Sequence, residues 1–102
     1  MVTETPYYAV IFTSKRTQVD NGYDETSLKM ENLARQQPGF LGMDSVKNEV
    51  GITVSYWDSL DAISNWKQNL DHQVAQNKGK DKWYSSYHVR ICRVEREYSF
   101  KK

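Results

Sequence analysis

The chain has 102 residues, the length of one domain, and we expect a single domain over residues 1–102 with its core between about residues 7 and 100. Its 14 basic and 13 acidic side chains create no overall field for nucleic acid or acidic lipid, and a single cysteine excludes an internal disulfide. No apolar run approaches the roughly 18 residues of a membrane span. Since Glu4 and Pro6 also interrupt any leader-like pattern, the expected location is cytoplasmic.

The first half of the chain predicts a strand, a helix and a second strand. Tyr7 to Thr13 is nearly continuous in aromatic and β-branched residues, which is typical of a central strand buried on both faces. Turn residues from Gln18 to Gly22 precede a helical pattern over Tyr23 to Gln37. Pro38-Gly39 ends that helix, and Phe40 to Asn48 alternates weakly, as a strand does.

The second half predicts a hairpin, a helix and a final strand. Asn48 to Gly51 has the composition of a hairpin connection, and Ile52 to Trp57 alternates cleanly between two faces. Asp58 or Ser59 can cap the next helix. Its apolar stripe consists of Ala62, Ile63, Trp66 and Leu70.

We expect the second helix to break at Asn69 to Asp71, with a short further helix ending at Lys78-Gly79. The last strand is expected from Tyr87 to Tyr98. On it Val89, Ile91 and Arg93 alternate with Arg90, Cys92 and Val94.

The order of these elements is β-α-β-β-α-β. It predicts an α+β fold of the ferredoxin-like type, with an antiparallel sheet and both helices on one of its faces. The other face is then uncovered, although several of its residues are apolar. A second subunit would cover it and protect the sheet edges, so we expect a homodimer.

Several motifs resemble the antibiotic biosynthesis monooxygenase superfamily, and the likeness runs from about Tyr7 to Phe100. They are Pro38-Gly39-Phe40-Leu41-Gly42, the run from Ser55 to Ile63, and Trp66. Further residues resemble one uncharacterised bacterial branch of it: His72, Ala75-Gln76, Trp83-Tyr84, Tyr87 and the run from Arg90 to Arg96. The resemblance implies a dimeric α+β barrel, with the two sheets facing each other and a pocket between helices and sheet in each subunit.

The resemblance also implies an activity, namely oxygenation of a planar phenolic or quinone-type molecule by molecular oxygen, with no metal, flavin or other cofactor. The substrate anion itself can supply the electrons, so the protein has only to bind, orient and stabilise it. Heme degradation, another activity of the superfamily, is disfavoured. Of its residues only the tryptophan is matched, at Trp66, because Tyr7 to Thr17 contains no asparagine and Gln76 stands near the expected histidine. Isomerase-type chemistry and a non-catalytic ligand-binding or stress-related barrel remain open.

Two candidate catalytic residues are His72, as a base for a phenolic proton, and Arg90, as a partner for an oxyanion. Both also have ordinary structural interpretations, a capping or exposed histidine and an arginine paired with Glu95. A metal site of His72, His88 and Cys92 is disfavoured, since four residues of extended strand span roughly 13 Å. Candidate substrate-binding side chains, which can equally pack the core or the dimer, are Trp66, Tyr56, Trp57, Trp83 and Tyr87.

Overall fold

The computed structural model describes residues 4–18, 22–77 and 83–102, and within residues 71–77 it describes the backbone alone. Its six elements follow the expected order, and the four strands form one antiparallel sheet in the order β2-β3-β1-β4. The α+β ferredoxin-like prediction is therefore confirmed, as is the central place of the first strand. The elements are β1 (Tyr7–Arg16), α1 (Tyr23–Arg35), β2 (Phe40–Lys47), β3 (Val50–Trp57), α2 (Leu60–Asn77) and β4 (Tyr84–Val94).

Both helices pack on the same face of the sheet. Cross-strand partners point to the same side, so the pairing of Tyr8 with Trp57 places both side chains together. Trp57 packs against Ala62 and Ile63 of α2. We call this face the helix side and the opposite one the open face. On β1, even-numbered residues face the helix side and odd-numbered residues the open face.

The junction between β2 and α2 depends on Gly39. Its φ of +87° lies in the left-handed region, and a Cβ atom built there would come within 2.6 Å of the Ala62 Cβ. The backbone N–H of Asp58 donates to the Gly39 carbonyl oxygen at 2.8 Å. The hydroxyl of Ser59 accepts a hydrogen bond from the Ala62 N–H at 3.1 Å, which identifies Ser59 as the cap.

The expected break in the second helix is wrong, because α2 runs without interruption from Leu60 to Asn77. Asn and Asp cost a helix only a few tenths of a kcal/mol each relative to better formers. Burial of Ile63 and packing of Trp66 against the core outweigh that cost. Asp71 is therefore not a cap, and the predicted end at Lys78-Gly79 lies outside the described residues. No described helix is long and apolar enough to cross a membrane.

The last strand also differs from its prediction, since it begins at Tyr84 and ends at Val94. Tyr84 pairs with Arg16 after a bulge in the ladder, which extends the strand at its start. Val94 pairs with Tyr7, the first residue of β1, so residues beyond Val94 have no partner on that strand. In the hairpin before α2, β3 starts at Val50, and the connection is shorter than expected.

Candidate functional site

Two stacked tryptophans mark one end of the helix side. The fully buried Trp57 lies at the end of β3, and its ring stacks on that of Trp66 with centroids 6.1 Å apart and planes at 23°. Phe40 meets Trp57 edge-on at 5.4 Å. Trp57 Nε1 donates to Ser55 Oγ at 2.9 Å, so its polar atom is satisfied. Trp66 is only half-buried. One face of its ring stacks on the buried Trp57 ring, and part of the Trp66 side chain remains exposed to solvent.

Next to this pair, the helix side of β1 and β4 is only partly covered. Tyr87, Val89 and Ile91 of β4 are 43%, 46% and 54% exposed, because α1 packs mainly on β2 and α2 mainly on β3. Val10 and Phe12, beside them on β1, are half-buried. We call the surface formed by these five residues the trough. Exposed apolar surface of this kind is typical of a binding site.

The trough is continuous with the tryptophan pair. Tyr8 and Val10 pack against the same core cluster as Trp66, which contains Trp57, Ala62 and Ile63. Its opposite end meets a cluster of aromatic rings around Tyr84. The trough therefore has an aromatic boundary at both ends.

Tyr84 forms the centre of that second boundary. Its ring contacts Phe12 at 5.6 Å and Tyr23 at 5.9 Å, and its hydroxyl donates to the Tyr23 hydroxyl at 3.5 Å. The Arg16 guanidinium lies 3.3 Å from the centroid of the Tyr23 ring. Burial, and then the hydrogen bond to Tyr23, raises the pKa of the Tyr84 phenol above its ordinary value. Tyr84 is therefore a neutral hydrogen-bonding group near neutral pH.

The sequence-predicted site residues divide between the two faces. Trp66, Trp57 and Tyr87 lie on the helix side, and the buried Trp83 ring contacts Tyr23 of α1 at 5.8 Å. Tyr56 pairs with Ala9 and therefore lies on the open face, where its hydroxyl donates to Asp44 Oδ2 at 3.0 Å.

Arg90 also lies on the open face, because it pairs with Ile11. Arg90 and Trp66 thus flank opposite sides of the sheet and cannot line one pocket within a chain. His72 belongs to the backbone of α2, but its side chain lies outside the described residues.

The arginine that shares a face with the trough is Arg93, which sequence reasoning did not single out. Arg93 pairs with Tyr8, so its side chain points to the helix side. It is exposed, and no carboxylate among the described residues forms an ion pair with it. Strand alternation could have identified it, because Arg93 lies an even number of residues from Tyr87 and therefore shares its face, whereas Arg90 lies an odd number away.

The described side chains, those of residues 4–18, 22–70 and 83–102, contain no group of three His, Cys, Asp or Glu residues that could hold a metal ion. His88 and Cys92 both lie on the open face of β4, at the positions opposite Thr13 and Ala9.

No protein-family model matches the chain. The chain is 52% identical over 99 residues to the uncharacterised protein YqjZ of Bacillus subtilis, and the match covers 95% of this chain and 87% of YqjZ. The chain belongs to the YqjZ family. That relative carries no described activity, so its name leaves the chemistry open.

Two solved structures define the fold. SnoaB, a cofactor-independent oxygenase from Streptomyces nogalater, has a TM-score of 0.68 at 7% identity, over 96% of this chain and 100% of SnoaB. A provisionally named antibiotic biosynthesis monooxygenase from Nitrosomonas europaea has a TM-score of 0.68 at 11% identity, over 90% of this chain and 92% of the other. At such identities the likeness concerns the fold alone. The resemblance to the antibiotic biosynthesis monooxygenase superfamily is confirmed at that level.

Proposed function

We propose that this protein of the YqjZ family binds a planar phenolic or quinone-type molecule in the trough and oxygenates it with molecular oxygen. The observation that carries the proposal is the trough itself, an exposed apolar surface between the half-buried Trp66 ring and the rings around Tyr84. A flat aromatic molecule would bury this surface and could stack on Trp66. SnoaB, whose fold the chain shares, is a cofactor-independent oxygenase.

The proposed chemistry balances without a cofactor. A phenol that carries an activated CH₂ group loses a proton, and the carbanion transfers electrons to oxygen. One oxygen atom then forms the new carbonyl and the other leaves as water, so that R₂CH₂ and O₂ give R₂C=O and H₂O. The exposed Arg93 guanidinium would stabilise the substrate anion. His72 is kept as the sequence-based candidate for the base.

Oxygen uptake with dihydroxyanthrone as the probe tests this function. We expect the protein to accelerate uptake in metal-free and flavin-free buffer, with one oxygen molecule consumed for each quinone formed. Trp66→Ala should lower kcat/KM by at least about tenfold, because the stacking surface is lost. Leu28→Ala is the matched control, because Leu28 is an exposed aliphatic residue of α1. Uptake no faster than with heat-denatured protein would exclude an oxygenase for this substrate class, and tight binding without uptake would instead favour the non-catalytic barrel.

We further propose that the chain forms a homodimer through its open face. Val46, Val50 and Ile52 of this face are 67%, 41% and 41% exposed, and β2 and β4 are free sheet edges within the described chain. The residues after β4 add two rings, Tyr98 and Phe100, that are 93% and 87% exposed. A second copy facing the first would bury these groups and close the two sheets into a barrel.

Sedimentation of single-charge variants tests the dimer. We expect the wild type to sediment as a dimer at micromolar concentration and Ile52→Asp to sediment as a monomer, because the charge would be buried in the interface. Leu28→Asp adds the same charge to an exposed apolar position on α1 and should remain dimeric. A monomeric wild type, or equal effects of the two variants, would contradict the proposed interface.

A further inference from the structure

An open, shallow cavity lies at one end of the sheet, mainly on the open face. Its volume is about 260 Å³, and it lies where the end of β1 meets the starts of β3 and β4. The register places the side chains of Thr13, Lys15, Val50, Ser86 and His88 on the open face there. The cavity is lined by Thr13, Ser14, Lys15, Val50, Ser86, Tyr87 and His88.

The lining carries hydroxyl and basic groups and no carboxylate. Lys15 supplies an ammonium group and His88 an imidazole, with the hydroxyls of Thr13 and Ser86 beside them. Arg90 is the next residue of β4 on the same face. Within the described chain Lys15 forms no ion pair, although Glu49 lies in the neighbouring β2–β3 turn.

On the open face Glu97 accepts the hydrogen bond of Tyr7 at the far end of β1, and Asp44 accepts that of Tyr56 halfway along the sheet, level with Ile11 and Arg90. On the helix side of the cavity end, Arg16 and Lys47 lie over the Tyr23 ring, next to Asp24 and Glu25 in the first turn of α1.

The ladder between β1 and β4 is irregular at the same place. Lys15 pairs with Ser86 but Arg16 pairs with Tyr84, so Ser85 is an extra residue of a bulge. The Ser85 hydroxyl donates to the Lys15 carbonyl oxygen at 3.2 Å. Bulges redirect neighbouring side chains and are frequent beside binding sites.

We propose that this cavity binds a small oxyanion of the phosphate type, free or as part of a phosphorylated small molecule. Lys15 contributes a charge and N–H donors, the His88 imidazole can donate an N–H, and the Ser86 hydroxyl contributes a further hydrogen bond, whereas the Thr13 hydroxyl donates to the His88 carbonyl oxygen at 3.4 Å. The site shares only Tyr87 with the trough and does not depend on the oxygenase function. In the proposed homodimer the cavity would face the partner, because Val50 of its lining belongs to the proposed interface.

Titration of the full chain with inorganic phosphate tests the site, with chloride of equal ionic strength as reference. We expect a dissociation constant in the millimolar range and a loss of roughly tenfold in Lys15→Met, the value of one charge-assisted hydrogen bond. Ser86→Ala should weaken binding by about threefold, and Lys15→Arg should retain most of it. Lys29→Met is the matched control, because it removes the same charge from an exposed position on α1 and should leave binding unchanged.

Equal weakening by Lys15→Met and Lys29→Met would overturn the proposal, because it would indicate a general charge effect. Binding of phosphate no tighter than that of chloride would overturn it as well. Circular dichroism of each variant verifies that the fold is intact. Phenyl phosphate distinguishes the two sources of the anion: tighter binding than inorganic phosphate indicates a phosphorylated molecule, and weaker binding indicates the free ion.

Discussion

The two faces of the sheet are built from the same strands but differ in chemistry. On the helix side, aromatic and aliphatic residues form both the core around Trp57 and the exposed trough. On the open face, the hydroxyls of Tyr7 and Tyr56 donate to carboxylates, and three exposed apolar residues, Val46, Val50 and Ile52, lie towards the end that carries Lys15 and His88. The contrast shows how strand alternation lets one sheet carry two separate surfaces.

The largest expected effect is on stability, and it differs between two adjacent residues that lie on opposite faces of the sheet. Trp57→Ala removes a fully buried ring on the helix side and should lower the free energy of unfolding by about 3–5 kcal/mol. Tyr56→Phe, on the open face, loses only the hydrogen bond to Asp44 and should cost about 1 kcal/mol. Urea unfolding followed by circular dichroism, at one protein concentration, measures both. Similar losses would contradict the assignment of Trp57 as the centre of the core.

Two exposed valines sharpen the comparison. Val89→Asp places a charge in the trough and should weaken binding of dihydroxyanthraquinone by at least about tenfold while the dimer persists. Val46→Asp places it on the open face and should disrupt the dimer while ligand binding persists. Fluorescence titration and sedimentation of both variants reveal whether the effects separate. Loss of both properties in either variant would mean that the faces are not independent.

The smallest effect concerns ionisation on the open face. The hydrogen bond to Glu97, with burial, raises the pKa of Tyr7 to about 12. The folded state therefore retains this proton longer than the unfolded state, and the contribution to stability is present below about pH 10 and lost as the pH rises towards 12.

Tyrosinate absorbance of Tyr7→Phe, compared with the wild type, measures this effect. The variant should lack one late-titrating phenol. An unchanged titration curve above about pH 10, the ordinary tyrosine range, would show that Glu97 does not hold the Tyr7 proton.

Much of the fold could be predicted from the sequence, because the alternation of apolar and polar residues in a strand and the residues that end a helix are local features. The alternating run from Ile52 to Trp57 and the stop at Pro38-Gly39 both correspond to the structure. Tertiary packing decided the rest. Packing of the apolar stripe around Ile63 and Trp66 keeps α2 helical where a break was expected. The last strand, β4, ends at Val94 because Val94 pairs with Tyr7, the first residue of β1.

The candidate site was less predictable, because residue type alone does not show which residues converge. Tyr87 and Arg90 were both predicted to belong to one site because of their side-chain chemistry. They lie three residues apart on β4, so strand alternation places them on opposite faces of the sheet. Arg93 shares the face of Tyr87. The cavity beside Lys15 and His88 depends on the register between β1 and β4, and the sequence does not specify that register.

The central claim is that the helix side binds the aromatic ligand. Its most direct test is to measure the binding of dihydroxyanthraquinone to Arg93→Met and to Arg90→Met. The variants make the same chemical change three residues apart on β4, on opposite faces of the sheet. We predict that Arg93→Met weakens binding by about tenfold, while Arg90→Met stays within about twofold of the wild type. A larger loss in Arg90→Met would place the ligand on the open face and contradict the account.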